Sequence, residues 1–295
     1  MSQTPAYGIV PPSYRLPAAT HVGAVRLQVA DLDRSIAYYT EVLGMRVTQA
    51  SPAAAKLAPQ GDDRPLVELE ARPGATPVPR QGRLGLFHFA ILVPDRLTLG
   101  RFVGHIADRG VYAGSADHAV SEALYLTDPD GLGIEVYADR PRDAWRVAGQ
   151  ELFMTTEPLD LRGLVRAAEN QPWTGLPAGT GMGHVHLHVG ALDAAAAFYH
   201  TALGFDKVVW SYPGALFLSA GGYHHHLGTN TWAAGAPPAT DDDARLLSWD
   251  LILPDATAVD EAVRSLAAAG HPATAEGAAR LVRDPWGTAV RLLVG

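Results

Sequence analysis

The sequence predicts an α+β protein: four modules of one βαβββ pattern, paired into two cup-shaped, curved mixed sheets. Three observations predict it. Gly23–Met45 and Gly183–Phe205 share Gly, Val, Leu, Val, Leu, Asp, Ala, Tyr, Leu and Gly at a constant offset of 160. The same offset carries Val93-Pro94-Asp95 onto Leu253-Pro254-Asp255, and Asp128-Pro129-Asp130-Gly131 returns as Asp284-Pro285-Trp286-Gly287. Each copy opens with an alternating strand and continues with a helical period, and a repeat fixes architecture before any propensity argument does. Such a unit has one apolar sheet face that it cannot bury alone, so units must pair. The paired sheet is concave, and ligands prefer concave places.

In the first module AVRLQV is a half-buried strand. DLDRSIAYYTEVLG reads as a helix, with Asp31 as N-cap, Leu32, Ile36, Tyr39 and Leu43 as the inward stripe, and Gly44 at its C-terminus. Strands around Pro65–Glu70 close the unit. The second module has strand LFHFAILV, helix Leu97–Arg109 ending at Gly110, and strands around Glu122–Thr127 and Gly133–Ala138. The third has strand HVHLHV, helix Leu192–Leu203, and strands ALFLSA and YHHHLGTN on either side of a Gly-Gly turn. The fourth has strand SWDLIL, helix Ala256–Ala269, and strands RLVRD and TAVRLLV. Residues 1–20 read as an irregular arm. Residues 21–141 and 182–294 read as two domains of two modules each. The linker, 142–181, carries Pro158, Pro172, Pro177 and one short helical piece near Leu159–Ala168.

At 295 residues and 47% hydrophobic content, the chain can fill two cores. Its 30 Gly and 22 Pro suit a sheet-rich fold with many short connections. The net charge of −8 and the lack of any Lys or Arg run argue against nucleic acid and anionic membrane as partners. There is no cysteine, so a metal would need His, Asp or Glu. MSQTPAYGIVPPSY has neither the basic nor the apolar region of a signal peptide, and no apolar run approaches ~18 residues. A soluble cytoplasmic protein is therefore expected.

The internal alignment exposes one register suited to a metal. Five residues before the shared Val or Leu of each first strand stand Ala24, His88, His184 and Ser248. Seven residues after the DP-x-G aspartate stand Glu135 and Arg291. A lone His in an apolar strand is ordinarily a core residue satisfied by one hydrogen bond, and His186 and His188 are read that way. His88 and His184 differ because they occupy one register in duplicated strands. Glu135 interrupts IEVY, where an unpaired carboxylate would be expensive. Two imidazoles and a carboxylate with open positions suit Fe(II), with Mn(II) as the alternative.

LFHFAILVPDR, DHAVSEALYLTDPDGLGIEVYADRP, GHVHLHV and SAGGYHHHLGTNTW, with their spacings, cover nearly all of residues 21–294. Together they resemble the vicinal oxygen chelate superfamily and, within it, the type I extradiol dioxygenases of the two-domain catechol-2,3-dioxygenase group. The resemblance implies the vicinal oxygen chelate fold. It implies Fe(II)-dependent insertion of O2 into a small aromatic diol, next to the hydroxyl pair. It assigns one ligand His to one module, and a His and a late Glu to its partner; by motif these are His184, His88 and Glu135. The usual pairing joins modules three and four, but Ser248 and Arg291 replace the ligands of module four. A complete site therefore needs module two to pair with module three. The alternative is two separate cups, His88 and Glu135 with Glu68, or His184 with His226.

The resemblance also implies a His that moves a proton, sought in His224–His226. Counting back from Asn230-Thr231-Trp232 favours His226. It implies a substrate-touching tyrosine, Tyr125, and gives His118 a part in orienting substrate or a proton path. The plain counterparts are a solvated His edge, a core strand tyrosine and an exposed loop histidine. Tyr212, Trp210, Phe217 and Trp232 are expected as pocket walls, and Arg291 as a partner of a carboxylate such as Glu68. Glyoxalases, epimerases and resistance proteins share these modules, so a metal-dependent isomerase or a metal-free small-molecule binder is the alternative function. Self-association of the chain is left open.

Overall fold

Alternating strands followed by an Asp-capped helix set the pattern of the modules. The computed structural model describes residues 7–169 and 171–295. Module one comprises β1 (His21–Val29), α1 (Leu32–Glu41), β2 (Arg46–Ala50), β3 (Ala54–Ala58) and β4 (Val67–Ala71). Module two comprises β5 (Gly85–Leu92), α2 (Arg96–Asp108), β6 (Gly114–Asp117), β7 (Ser121–Thr127) and β8 (Gly133–Asp139). The connecting segment holds a hairpin, β9 (Val147–Ala148) and β10 (Glu151–Leu152), then α3 (Leu161–Ala167). Module three follows with β11 (Gly181–His188), α4 (Leu192–Ala195), β12 (Asp206–Val209), β13 (Ala215–Ser219) and β14 (Leu227–Asn230). Module four has β15 (Arg245–Leu253), α5 (Ala256–Ala268), β16 (Thr274–Glu276), β17 (Ala279–Arg283) and β18 (Ala289–Val294).

Asp31, Asp95 and Asp255 each accept a backbone N–H three residues on, which caps α1, α2 and α5. Module three has Ala191 at that place, with no side-chain oxygen to offer. Its helix is α-helical only through Ala195 and continues as a π-helical turn over Ala196–Ala202, where the sequence predicts one α-helix.

Module two pairs with module three. One sheet runs β12-β13-β14-β11-β5-β8-β7-β6 and the other β16-β17-β18-β15-β1-β4-β3-β2. The sequence halves 21–141 and 182–294 therefore mark the repeat, while each sheet draws on both halves. The repeated tyrosine and the repeated DP-turn aspartate explain what ties each half together. Tyr39 of module one donates to Asp128 of module two, and Tyr199 of module three donates to Asp284 of module four. Val25, Leu27, Phe89, Val185, Leu187 and Trp249 are fully buried in one core cluster that spans both sheets. Burial of each such side chain stabilises the fold by roughly 1.5–3 kcal/mol.

The second cup, of modules one and four, is occupied by ion pairs. Arg291 faces Asp250 at 3.1 Å and Glu276 at 2.9 Å. Glu68 is taken by Arg26 at 3.3 Å and Lys56 at 3.2 Å, so the expected Arg291–Glu68 pair does not form. Burial raises the Asp250 carboxyl to about 6, with Arg291 opposing. Among the described residues the His/Glu cluster suited to a metal lies in the other sheet alone.

Candidate metal centre

Two sheet ladders bring the candidate donor atoms together. The parallel β5–β8 pairing sets Glu135 opposite Ala90, and the antiparallel β5–β11 pairing sets His184 opposite the same Ala90. His88 lies two residues back on the same face of β5. The result is a triangle of donors. His88 Nε2 lies 3.0 Å from Glu135 Oε2, His184 Nε2 lies 3.2 Å from the same oxygen, and the two Nε2 atoms are 3.4 Å apart. All three side chains are buried. Three ligands at right angles, each about 2.1 Å from an ion, would stand roughly 3.0 Å apart, so this donor set fits a facial two-His-one-carboxylate site. The Glu68 and His226 alternatives are excluded: Glu68 sits in the other sheet and His226 is turned away.

The electrostatics agree with ligation. Burial depresses the His184 imidazole to about 4, which leaves it neutral with a free lone pair. Burial works against ionisation of Glu135, yet the imidazoles of His184 and His88 outweigh it and hold the carboxyl well below its usual range.

Two β-bulges shape the strands around the triangle. On β5, His186 pairs with His88 while Leu187 pairs with Leu86, so Phe87 is the extra residue and turns into the cup beside His88. On β11 the extra residue is Gly183, and a Cβ there would lie 1.7 Å from the Tyr137 hydroxyl. Tyr137 packs on His184, with ring centroids 5.1 Å apart. Glycine at 183 is what lets β11 approach.

The triangle opens into a cavity of about 220 Å³. Its walls include Phe87, His186, Phe217, Tyr212 and Trp232, with Met154, Thr155 and Thr156 from the connecting segment. Trp210 is not among them and packs on the main core instead. The sequence pattern makes His186 a core residue, whereas in the fold it lines the cavity. Because side chains at 184, 186 and 188 share one strand face, placing His184 in the cup already implied His186 there.

Tyr125 stands across from Glu135 in the β7–β8 ladder and reaches the cavity. His118 Nδ1 is 2.6 Å from the Thr155 carbonyl, so that nitrogen carries the proton; its Nε2 then accepts from the Tyr125 hydroxyl at 2.5 Å. Burial and then Glu135 raise the Tyr125 phenol well above 10, so it stays protonated.

The triple histidine corrects the sequence reading. The strand begins only at Leu227, because Gly221 and Gly222 turn the chain at φ +62° and +70°. His225 lines the cavity and lies on His184, with ring centroids 4.0 Å apart. His226, the expected proton carrier, faces the opposite side. Its Nδ1 accepts from the Ala220 N–H at 3.2 Å, and it borders a separate depression with Thr20, His21 and Arg142.

A chain of contacts fixes the tautomer of His225. Asp139 Oδ1 accepts from His224 Nε2 at 2.9 Å, which leaves His224 Nδ1 as an acceptor. His225 Nδ1–H donates to it at 2.7 Å. The free nitrogen of His225 is therefore Nε2, unprotonated, on a ring that faces the cavity.

His226 gives a stability prediction. Burial, then the field of His224, lowers its imidazole to about 3. An unfolded imidazole titrates near ~6.5, so below that pH the unfolded chain takes up a proton that the folded chain refuses. Stability then falls with falling pH, by about 2 kcal/mol from this group at pH 5. The metal-free protein is expected to melt lower at pH 5 than at pH 7, and a His226→Gln variant to lose part of that difference in thermal scans.

The chain belongs to the Glyoxalase/Bleomycin resistance protein/Dioxygenase superfamily, whose profile matches residues 20–136 and 181–292. Among its relatives, the catechol-2,3-dioxygenase of Bacillus subtilis (strain 168) is 43% identical over 270 residues, covering 90% of this chain and 94% of the relative. The fold is shared with a solved structure from Bacillus subtilis subsp. subtilis str. 168 at a TM-score of 0.65 and 14% identity, covering 95% of this chain and 86% of that one. It is also shared with glyoxalase I from Zea mays at a TM-score of 0.57 and 19% identity, covering 94% and 92%. No helix among the described residues is long and apolar enough to cross a membrane.

Proposed function

We propose that this protein is an extradiol ring-cleaving dioxygenase acting on catechol-type diols, with His88, His184 and Glu135 holding Fe(II) rather than Mn(II). The observation that carries this reading is the triangle of three convergent donors at the base of an aromatic cavity. The catechol-2,3-dioxygenase relative supports it across nearly the whole chain. A bound ferrous ion supplies open coordination positions and the electronic link between the diol ring and O2.

The protein supplies position and protons. Phe87, Phe217 and Trp232 hold the ring and exclude water. Nε2 of His225 takes a diol proton as substrate enters and returns it after the ring opens, with Nδ1 anchored through His224 to Asp139. Tyr125, locked by His118, presents its phenol oxygen beside Glu135. Burial keeps the His225 imidazole well below 6.5, so it is the neutral base at physiological pH.

Anaerobic purification, loading with Fe(II) and addition of catechol with air tests the reading. One O2 consumed per diol, with a yellow ring-opened product, is the expected result. An iron-loaded protein that consumes no oxygen with any catechol would refute it.

A further inference from the structure

We propose that the depression behind the triple histidine is a second binding site, which takes a small tetrahedral oxyanion such as inorganic phosphate or sulfate. It stands apart from the diol cavity and does not depend on the reaction assigned there. Three stretches distant in sequence meet around it: the arm at Thr20 and His21, the connecting segment at Arg142, and the loop from Ala220 to His226. They enclose about 270 Å³. Charge gives the ligand its sign. The chain carries 31 acidic and 23 basic side chains, yet among the described residues no carboxylate lines this depression. Arg142 and two imidazoles do. Asp139 lies beyond the Tyr223 hydroxyl and is engaged, accepting from that hydroxyl at 3.1 Å and from His224 Nε2 at 2.9 Å.

The donors are held in place by their surroundings. Arg142 Cζ is 5.5 Å from the Trp145 ring centre and 5.8 Å from that of Tyr223, so two aromatic rings orient the guanidinium. His226 is buried and packs on the same Tyr223 ring, with centroids 5.0 Å apart. Its Nδ1 accepts from the Ala220 N–H at 3.2 Å, which puts the proton of the neutral ring on Nε2 and leaves that N–H to the depression. Thr20 adds a third kind of donor. It is buried, and its hydroxyl has no hydrogen-bond partner among the described residues. A buried polar group without a partner costs free energy, which an arriving acceptor recovers. Guanidinium, imidazole N–H and hydroxyl thus come from three different segments. A planar carboxylate is satisfied by the guanidinium fork alone, whereas a tetrahedral oxyanion has an oxygen for each of the three.

Calorimetry on the iron-loaded protein, kept anaerobic, tests this with sodium sulfate against sodium chloride at matched ionic strength. Sulfate is expected to fill one saturable site with a Kd of about 1 mM or tighter, and chloride none. Arg142→Gln keeps most of the side chain and loses its charge, so sulfate should bind it at least ~10-fold more weakly. Thr20→Val removes only the hydroxyl and should weaken binding about threefold or more. Arg142 is exposed, so the melting temperature of Arg142→Gln in chloride should match that of the wild type. Sulfate on the open positions of the iron would be indifferent to Arg142. Equal affinity in wild type and Arg142→Gln therefore overturns the proposal. A response to sulfate that never saturates also overturns it, because that is the general effect of the salt on burial. Acetate bound as tightly as sulfate, and lost in the same two variants, would overturn the choice of a tetrahedral ion.

Discussion

Glu135→Ala is expected to leave a folded protein that binds no iron and opens no ring. Glu135 Oε2 is the atom common to both short distances in the donor triangle, 3.0 Å to His88 and 3.2 Å to His184. Removing it leaves two imidazoles, and the negative charge that balances a dication is gone. Loss of one strong ligand forfeits several kcal/mol, so iron retention through gel filtration should fall from one per chain to background and turnover by roughly a thousandfold or more. A thermal scan separates ligation from folding. Ferrous ion at ~100 times its dissociation constant should stabilise the wild type by about 2.7 kcal/mol and the variant not at all. Glu135→Gln is the sharper control, because the amide keeps the shape of the side chain and loses only its charge. Without metal, the Gln variant should melt lower than wild type at neutral pH, since the imidazoles that hold the Glu135 carboxyl below its usual range favour its ionised form in the fold. Normal iron content in either variant would remove Glu135 from the ligand set.

The convergence of His88, His184 and Glu135 was legible because duplication supplied a register. His88 and His184 could be matched strand to strand, and Glu135 stood out as a charge in an apolar run. The same logic made the pairing of modules two and three legible, since Ser248 and Arg291 leave module four without ligands. The repeated Tyr39/Tyr199 and Asp128/Asp284 were visible too, but the bonds that join them cross module boundaries and only the fold reveals them. Other features escaped for definite reasons. Phe87 enters the cup through a bulge, and an alternating pattern assigns it to the opposite face. Met154–Thr156 belong to a segment that reads as linker, and nothing local says that it roofs a cavity. Counting back from Asn230-Thr231-Trp232 pointed to His226 rather than His225 because Gly221 and Gly222 coil that stretch before the strand begins.

That last correction leads to an expectation about catalysis. His225→Asn should lower kcat about 10²–10³-fold while iron content stays at the wild-type level, because a positioned general base contributes on that order. His226→Gln should leave kcat within about threefold, since His226 borders a different depression and its effect is on stability. The contrast matters more than either value. Both imidazoles are buried, both belong to one run, and burial lowers both. Only the ring of His225 lies against His184 in the cavity with Nε2 free. A third variant, Asp139→Asn, probes the anchor. The amide retains an oxygen but can also present its NH2 to His224, so the tautomer of His224, and through it that of His225, is no longer fixed. Its kcat should fall by about tenfold, less than for His225→Asn, with KM for catechol little changed. Equal losses in His225→Asn and His226→Gln would mean that the run acts as packing, and the proton would then have to be carried by Tyr125 and His118, the other hydrogen-bonded pair on the cavity wall.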